Sequence, residues 1–182
     1  MTGKAKPLDL RSRIRSIPDF PKRGIVFRDI TPLLLDAAAF REAVRRMVEP
    51  YSPATVDVVV GAESRGFIFG TAVAMALGAG FVPVRKKGKL PAETVEVTYE
   101  LEYGTDTIQM HADAIKPGMR VLMVDDLLAT GGTMAACCEM VEQAGGQIVG
   151  IEFLIELSFL AGRKKLAGYP VRSQIVFESE EP

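Results

Sequence analysis

The sequence predicts an α/β fold, a central parallel sheet flanked by helices, and three observations predict it. Short aliphatic or β-branched runs alternate along the chain with segments of helical periodicity. One of those runs leads into two adjacent carboxylates and a small-residue turn that opens a helix, VLMVDDLLATGGT at 121–133. The third is size: 182 residues, 48% of them hydrophobic, are enough to bury one substantial core. A single domain over 1–182 is expected.

Taken in order, Asp36 reads as a helix N-cap. Phe40, Ala43, Val44, Met47, Val48 and Tyr51 follow at helical spacing, with Arg41, Glu42, Arg45, Arg46 and Glu49 outward. The β-branched run 56–60 reads as a buried strand that delivers GAESRG at its carboxyl end, and a helix is expected at 67–77. Residues 81–84 form the next strand. The basic run 85–89 and the alternating stretch AETVEVTYELEYGTDT then lie between two core strands, which suggests a two-stranded flap that closes over a site. A charge run is otherwise simply a solvated face. After the strand at 121–124, Met134, Cys137, Cys138 and Val141 make the apolar stripe of a helix ending at Gly145 and Gly146. Strands at 148–155 and 173–177, the last at an edge, complete the pattern.

Composition excludes several classes. With 22 basic and 23 acidic side chains the net charge is −1, so there is no global attraction to nucleic acid or anionic membranes. No apolar run approaches the ~20 residues of a membrane span, and MTGKAKPLDL lacks the apolar segment of a secretory signal. A cytoplasmic protein is expected. Cys137 and Cys138 are adjacent on one helix, without metal-ligand spacing, which fits core packing in a reducing compartment.

The chemistry concentrates in VLMVDDLLATGGT. Backbone N–H groups at a helix start lack intrahelical acceptors and carry the positive end of its dipole, so they suit a phosphate. Gly131 and Gly132 let the main chain approach, Thr130 and Thr133 add hydroxyl donors, and Asp125 and Asp126 can accept from sugar hydroxyls or meet a metal. The turn is not a Walker A loop, which needs Lys where Gly132 stands, and G-x-G-x-x-G is absent. The alternative is a tight turn whose Asp pair caps a helix. In an open α/β sheet GAESRG meets this turn beyond the strand ends, where Arg65 offers a charged fork to a diphosphate.

The hydrophobic-strand, Asp-Asp, ATGGT string resembles the signature of the phosphoribosyltransferases, which bind phosphoribosyl pyrophosphate (PRPP). With IRSIPDFPKRGIVFRDITPLL, SRGF, RKKGKLP and LEYG in chain order, the sequence is similar to the adenine-specific branch of the type I phosphoribosyltransferase family from about residue 13 to 177. The resemblance implies the type I fold, with a small N-terminal hood and a flexible flap. It implies conversion of adenine and PRPP to AMP and diphosphate, in purine salvage, with Mg2+ carried by PRPP, and a homodimer. By resemblance Ala129, Thr130, Gly131, Gly132 and Thr133 hold the ribose phosphate, Asp125 and Asp126 the ribose hydroxyls, and Ser64, Arg65 and Lys86 the diphosphate. Phe27 stacks on adenine, main-chain groups of Val26 and Arg28 read its edge, and Leu157 closes the other face. From residue type alone, Phe27 is a core aromatic and Arg28 with Asp29 a surface pair.

The resemblance also selects Glu102 as the catalytic carboxylate, since spacing alone does not choose among Glu96, Glu100 and Glu102. Chemistry at the anomeric carbon passes through an oxocarbenium-like state and leaves a purine proton to be managed, a task for general acid/base catalysis. Hypoxanthine-guanine enzymes place an Asp where this chain has Ala129. That difference disfavours an oxopurine substrate and agrees with Glu102. His111 is expected outside the site. Two rivals remain: a transferase for another base, and a PRPP-sensing regulator that binds nucleic acid, which would require a basic face or an added helix-turn-helix.

Overall fold

The structure is a computed structural model that describes residues 8–100 and 104–181. A two-stranded antiparallel ribbon, β1 (Arg15–Ile17) and β2 (Phe27–Asp29), forms the hood. Then come α1 (Thr31–Leu35), α2 (Ala37–Val48), β3 (Val58–Ala62), α3 (Gly66–Leu77) and β4 (Gly80–Lys86). A hairpin of β5 (Thr94–Glu100) and β6 (Thr105–His111) precedes β7 (Arg120–Leu128), α4 (Gly132–Gln143), β8 (Gln147–Leu157) and β9 (Val171–Phe177).

The main sheet has seven strands in the order β5-β6-β4-β3-β7-β8-β9. From β4 to β9 every pairing is parallel. The expected flap is this hairpin, and it joins the sheet antiparallel at the end of β4, in the register Arg85↔Gln109 and Lys86↔Ile108. Val97, Ile108 and Met110 bury the inner side of the hairpin in the core beside α4.

The parallel strands read as continuous apolar runs because both faces are covered. One face packs Val60, Met123 and Phe153 against α4; the other packs Val59, Leu122 and Leu154 against α2 and α3. Asp36 caps α2 as expected, accepting from Ala38 N at 2.9 Å and Ala39 N at 3.2 Å. Tyr51 falls beyond that helix, and its hydroxyl donates to Glu152 at 3.1 Å. Helix α4 buries more than its expected stripe, including Ala136 and Met140, because β5 covers a second flank. Both cysteines are buried and free.

Sequence periodicity sets the existence of these strands, but pairing sets their ends. β7 runs on through Asp125 and Asp126 to Leu128 because β8 pairs with it as far as Glu156. The two carboxylates therefore belong to the last part of the strand, where the ladder fixes their directions. β9 starts at Val171 and is the edge strand of the sheet, as expected.

Candidate functional site

The β7–α4 turn builds a small cavity of about 90 Å³ lined by Asp125, Leu128, Ala129, Thr130 and Gly131, with Phe153 behind. Amides at the start of α4 point out of the helix without intrahelical acceptors. Gly131 caps the helix at φ +78°, and a Cβ there would stand 2.5 Å from the Gly162 carbonyl oxygen. Only glycine fits both demands. The short 3-10 segment Gly162–Leu166 thus backs the turn, and it is fastened by Arg163, which donates to both oxygens of buried Glu156 at 2.7 Å.

Asp125 lines this cavity, and Asp126 follows it in β7. Asp126 N donates to Asp125 Oδ1 at 2.8 Å. Burial, and then the neighbouring Asp126 charge, push the Asp125 carboxyl well above the usual carboxylate range. Burial also raises Asp126, opposed by the Arg65 charge. Arg65 Nε lies 2.9 Å from Asp126 Oδ2, close enough for ion pairing but not aligned as an N–H···O bond, so this buried oxygen has no hydrogen-bond donor. A buried acceptor left without a donor costs free energy that a ligand hydroxyl would recover. Gly66 lets α3 start against the pair, since a Cβ on it would fall 2.6 Å from Asp125 Oδ1.

Ser64 and Arg65 occupy the loop between β3 and α3, where the Glu63–Ser64 peptide is cis. Glu63 organises the basic run. It accepts from Arg85 Nε and from Lys86 N, each at 3.1 Å, and Lys89 Nζ lies at 3.5 Å. Burial would raise the Glu63 carboxyl, but the Lys86 amide and the Arg85 and Lys89 charges outweigh it and hold it low. Lys86 Nζ pairs with Asp106 of β6 at 3.2 Å, a contact that raises the lysine's pKa. Lys87 pairs with Glu96 at 2.9 Å. The run is therefore compensated throughout by carboxylates rather than a bare solvated face.

Two contacts tie other elements to the turn. Tyr99 of β5 reaches Thr133, hydroxyl to hydroxyl, at 3.0 Å, and burial raises the phenol's pKa so that it keeps its proton. Glu63, Lys86, Tyr99, Asp106 and Thr133 border a second cavity of about 290 Å³. From the hood, Phe27 stacks edge-on to Phe20 at 5.2 Å and receives the Arg65 guanidinium at 5.2 Å from its ring centroid. Phe27 is half-buried beside Arg65, not sealed in the core.

Arg28 and Asp29 correct the surface-pair alternative: both are buried and bonded elsewhere. Asp29 accepts from Arg15 and from Thr31, while Arg28 donates to Ser16 Oγ and to carbonyls of the C-terminal segment. The reason is register, because β1 pairing lays Arg15 beside Asp29 and Ser16 beside Arg28. Val26 N donates to Glu180 at 3.1 Å, and Leu157 ends β8 opposite Phe177. Glu102 lies outside the described residues. His111 closes β6 opposite Thr94, away from the turn.

Sequence reasoning missed the parts played by Glu63, Gly66, Tyr99, Asp106 and Gly162. Gly66 carries a local signal, an SRG that opens a helix. For the others the signal is a contact between segments far apart in the chain.

The phosphoribosyl transferase domain family matches residues 33–180. An adenine phosphoribosyltransferase from Clostridium perfringens is 57% identical over 171 residues, 94% of this chain and 99% of its own. The crystal structure of adenine phosphoribosyltransferase from Thermoanaerobacter pseudethanolicus is similar with a TM-score of 0.87 at 53% identity, covering 92% of this chain and 98% of that one. The Saccharomyces cerevisiae enzyme, complexed with D-2,5-dideoxy-2,5-imino-altritol 1,6-bisphosphate and adenine, has a TM-score of 0.85 at 42% identity, covering 91% and 96%.

Proposed function

This chain belongs to the phosphoribosyltransferase family, in its adenine phosphoribosyltransferase branch, and from that premise we propose that it transfers the phosphoribosyl group of PRPP to adenine, giving AMP and diphosphate in purine salvage. The observation that carries the reading is the cavity at a helix start lined by Asp125, with the donor-free buried oxygen of Asp126 next in the strand. A ribose hydroxyl and a phosphate need those two partners side by side.

Ala129, Thr130, Gly131, Gly132 and Thr133 receive the 5′-phosphate at their amides and hydroxyls. The Tyr99 and Thr133 hydroxyls can bond in either direction; with Tyr99 as the donor, the threonine proton is free for the phosphate. Asp125 and Asp126 accept from the ribose hydroxyls. Ser64, Arg65 and Lys86 take the diphosphate, Lys86 exchanging Asp106 for it. Phe27 stacks on adenine, with Leu157 across the base and main-chain groups of Val26 and Arg28 at its edge. Backbone readout suits adenine, whose ring nitrogen and exocyclic amine match an N–H and a C=O.

Adenine N9 attacks the anomeric carbon as diphosphate leaves, and Glu102 takes the N9 proton by general acid/base catalysis. Preorganised charge around the sugar stabilises the oxocarbenium-like state. Among the described residues no group of three His, Cys, Asp or Glu side chains is spaced to hold a metal. Two adjacent carboxylates suit a Mg2+ that arrives on PRPP and keeps its waters, where it would neutralise diphosphate charge.

We also propose that residues 1–182 act as one cytoplasmic domain and pair as a homodimer. No helix of the described residues is long and apolar enough to cross a membrane. Leu35 and Met75 are 88% and 85% exposed, a cost that pairing would relieve; sedimentation of a fully active monomer would contradict it. A base-specificity assay with Mg-PRPP tests the activity itself. AMP from adenine is expected, and turnover of hypoxanthine with none of adenine would overturn the reading.

A further inference from the structure

The main-chain groups that face the purine edge are not bare. Val26 N–H donates to Glu180 Oε2 at 3.1 Å, a bond between residues 154 apart in the chain. Two anchors on either side hold Glu180 there. The Arg28 guanidinium donates to the carbonyl of Ser179 at 3.2 Å and to that of Glu181 at 2.6 Å. The segment is also fixed at its root, where the Phe177 ring lies between Arg28, at 4.1 Å, and Arg11, at 4.4 Å. Arg11 adds a bond to the Val176 carbonyl at 2.9 Å. Cation–π contacts and hydrogen bonds thus lead the chain from the end of β9 back across the hood.

We propose that the C-terminal segment 178–181 is an intramolecular competitor for the base, with Glu180 bonded to the Val26 main chain on the edge that the purine would meet. This rests on the reading of Val26 as an adenine contact. The charge-assisted bond holds the Glu180 carboxylate in the space along Val26 that the base edge would fill, so adenine enters only when Glu180 withdraws. The apparent affinity for adenine is then the intrinsic affinity reduced by the fraction of molecules with the segment lifted. PRPP, whose proposed contacts lie on the β3–α3 loop, at the ends of β4 and β7 and on the β7–α4 turn, is not in competition. Arg28 keeps the segment near while it is displaced, because its bonds go to backbone carbonyls and not to the Glu180 side chain.

The test compares the full chain with Glu180→Ala, which keeps the Arg28 anchors, and with a chain ending at Glu178. Both variants are expected to lower KM and Kd for adenine by about three- to tenfold, with KM for PRPP unchanged. Hydrogen exchange at the Val26 amide should speed up in Glu180→Ala without ligand. An adenine KM that stays the same or rises, in an E180A chain that folds and makes AMP, overturns the competitor alone. If the full chain makes no AMP from adenine, the base-site reading fails and takes the competitor with it.

Discussion

Two buried acidic centres lie on neighbouring strands of one sheet, and they differ in what surrounds them. Glu152 on β8 sits in register with Val124, one residue before Asp125 on β7. It is fully buried, and burial raises its carboxyl to about 7. Its oxygens accept from Tyr51 and from Gln174, at 3.1 and 2.9 Å, with Arg172 at 3.5 Å. Asp125 and Asp126 are raised for the same first reason, burial, yet they repel each other and leave one oxygen without a donor. The direction of the pKa shift therefore does not separate a site from a structural network. What separates these two is satisfaction together with a cavity: the closed cluster holds β8, β9 and the Tyr51 segment together, whereas the open pair has a donor-free oxygen on Asp126 and a cavity lined by Asp125.

The sharpest way to break this contrast is to fill the open side. Gly131→Ala should cut kcat/KM for PRPP by about a hundredfold or more, since the Cβ would push the turn off the Gly162 carbonyl and misplace the phosphate. Asp126→Asn should cost on the order of thirty- to a hundredfold in kcat/KM, the weight of a charge-assisted bond to a hydroxyl. The same substitution should raise the Tm of the unliganded protein at neutral pH. A carboxyl whose folded pKa is raised contributes stability only at low pH, so the gain from Asn shrinks as pH falls toward the ordinary carboxylate range.

Tyr99→Phe should raise KM for PRPP about fivefold while leaving KM for adenine alone, and should add nothing in a Thr133→Ala background if the phenol acts through that hydroxyl. On the closed side, Glu152→Gln should change activity by less than about twofold. Its effect is on stability. Glu152 is raised from an ordinary 4.5 to about 7, so its contribution is present at acid pH and lost as pH rises through 7. Thermal melts should show that this loss is smaller with Gln.

The contrast also marks what the sequence could tell. Asp36, the apolar stripe of α4 and the β-branched run of β3 are local signals, and the elements formed where those signals lie. The ATGGT turn and the Asp pair were legible because strand, carboxylates and glycines are consecutive. Strand ends were not, because the partner's length decides them, as β8 does for β7. Nor was the burial of Arg28, which follows from β1 register, or the support of the turn by Gly162, more than thirty residues downstream. Tyr99 reads as an ordinary strand aromatic until the hairpin meets α4. Glu102 rests on the family resemblance alone, as it lies outside the described residues.

The most direct measurement is a calorimetric titration of Mg-PRPP into the parent chain, Asp126→Asn and Glu152→Gln at one pH. The account predicts that the Asp126 variant loses at least about tenfold in affinity, while the Glu152 variant binds like the parent. Equal losses in the two variants, or undiminished binding by Asp126→Asn, would contradict the assignment of the open acidic pair to the sugar.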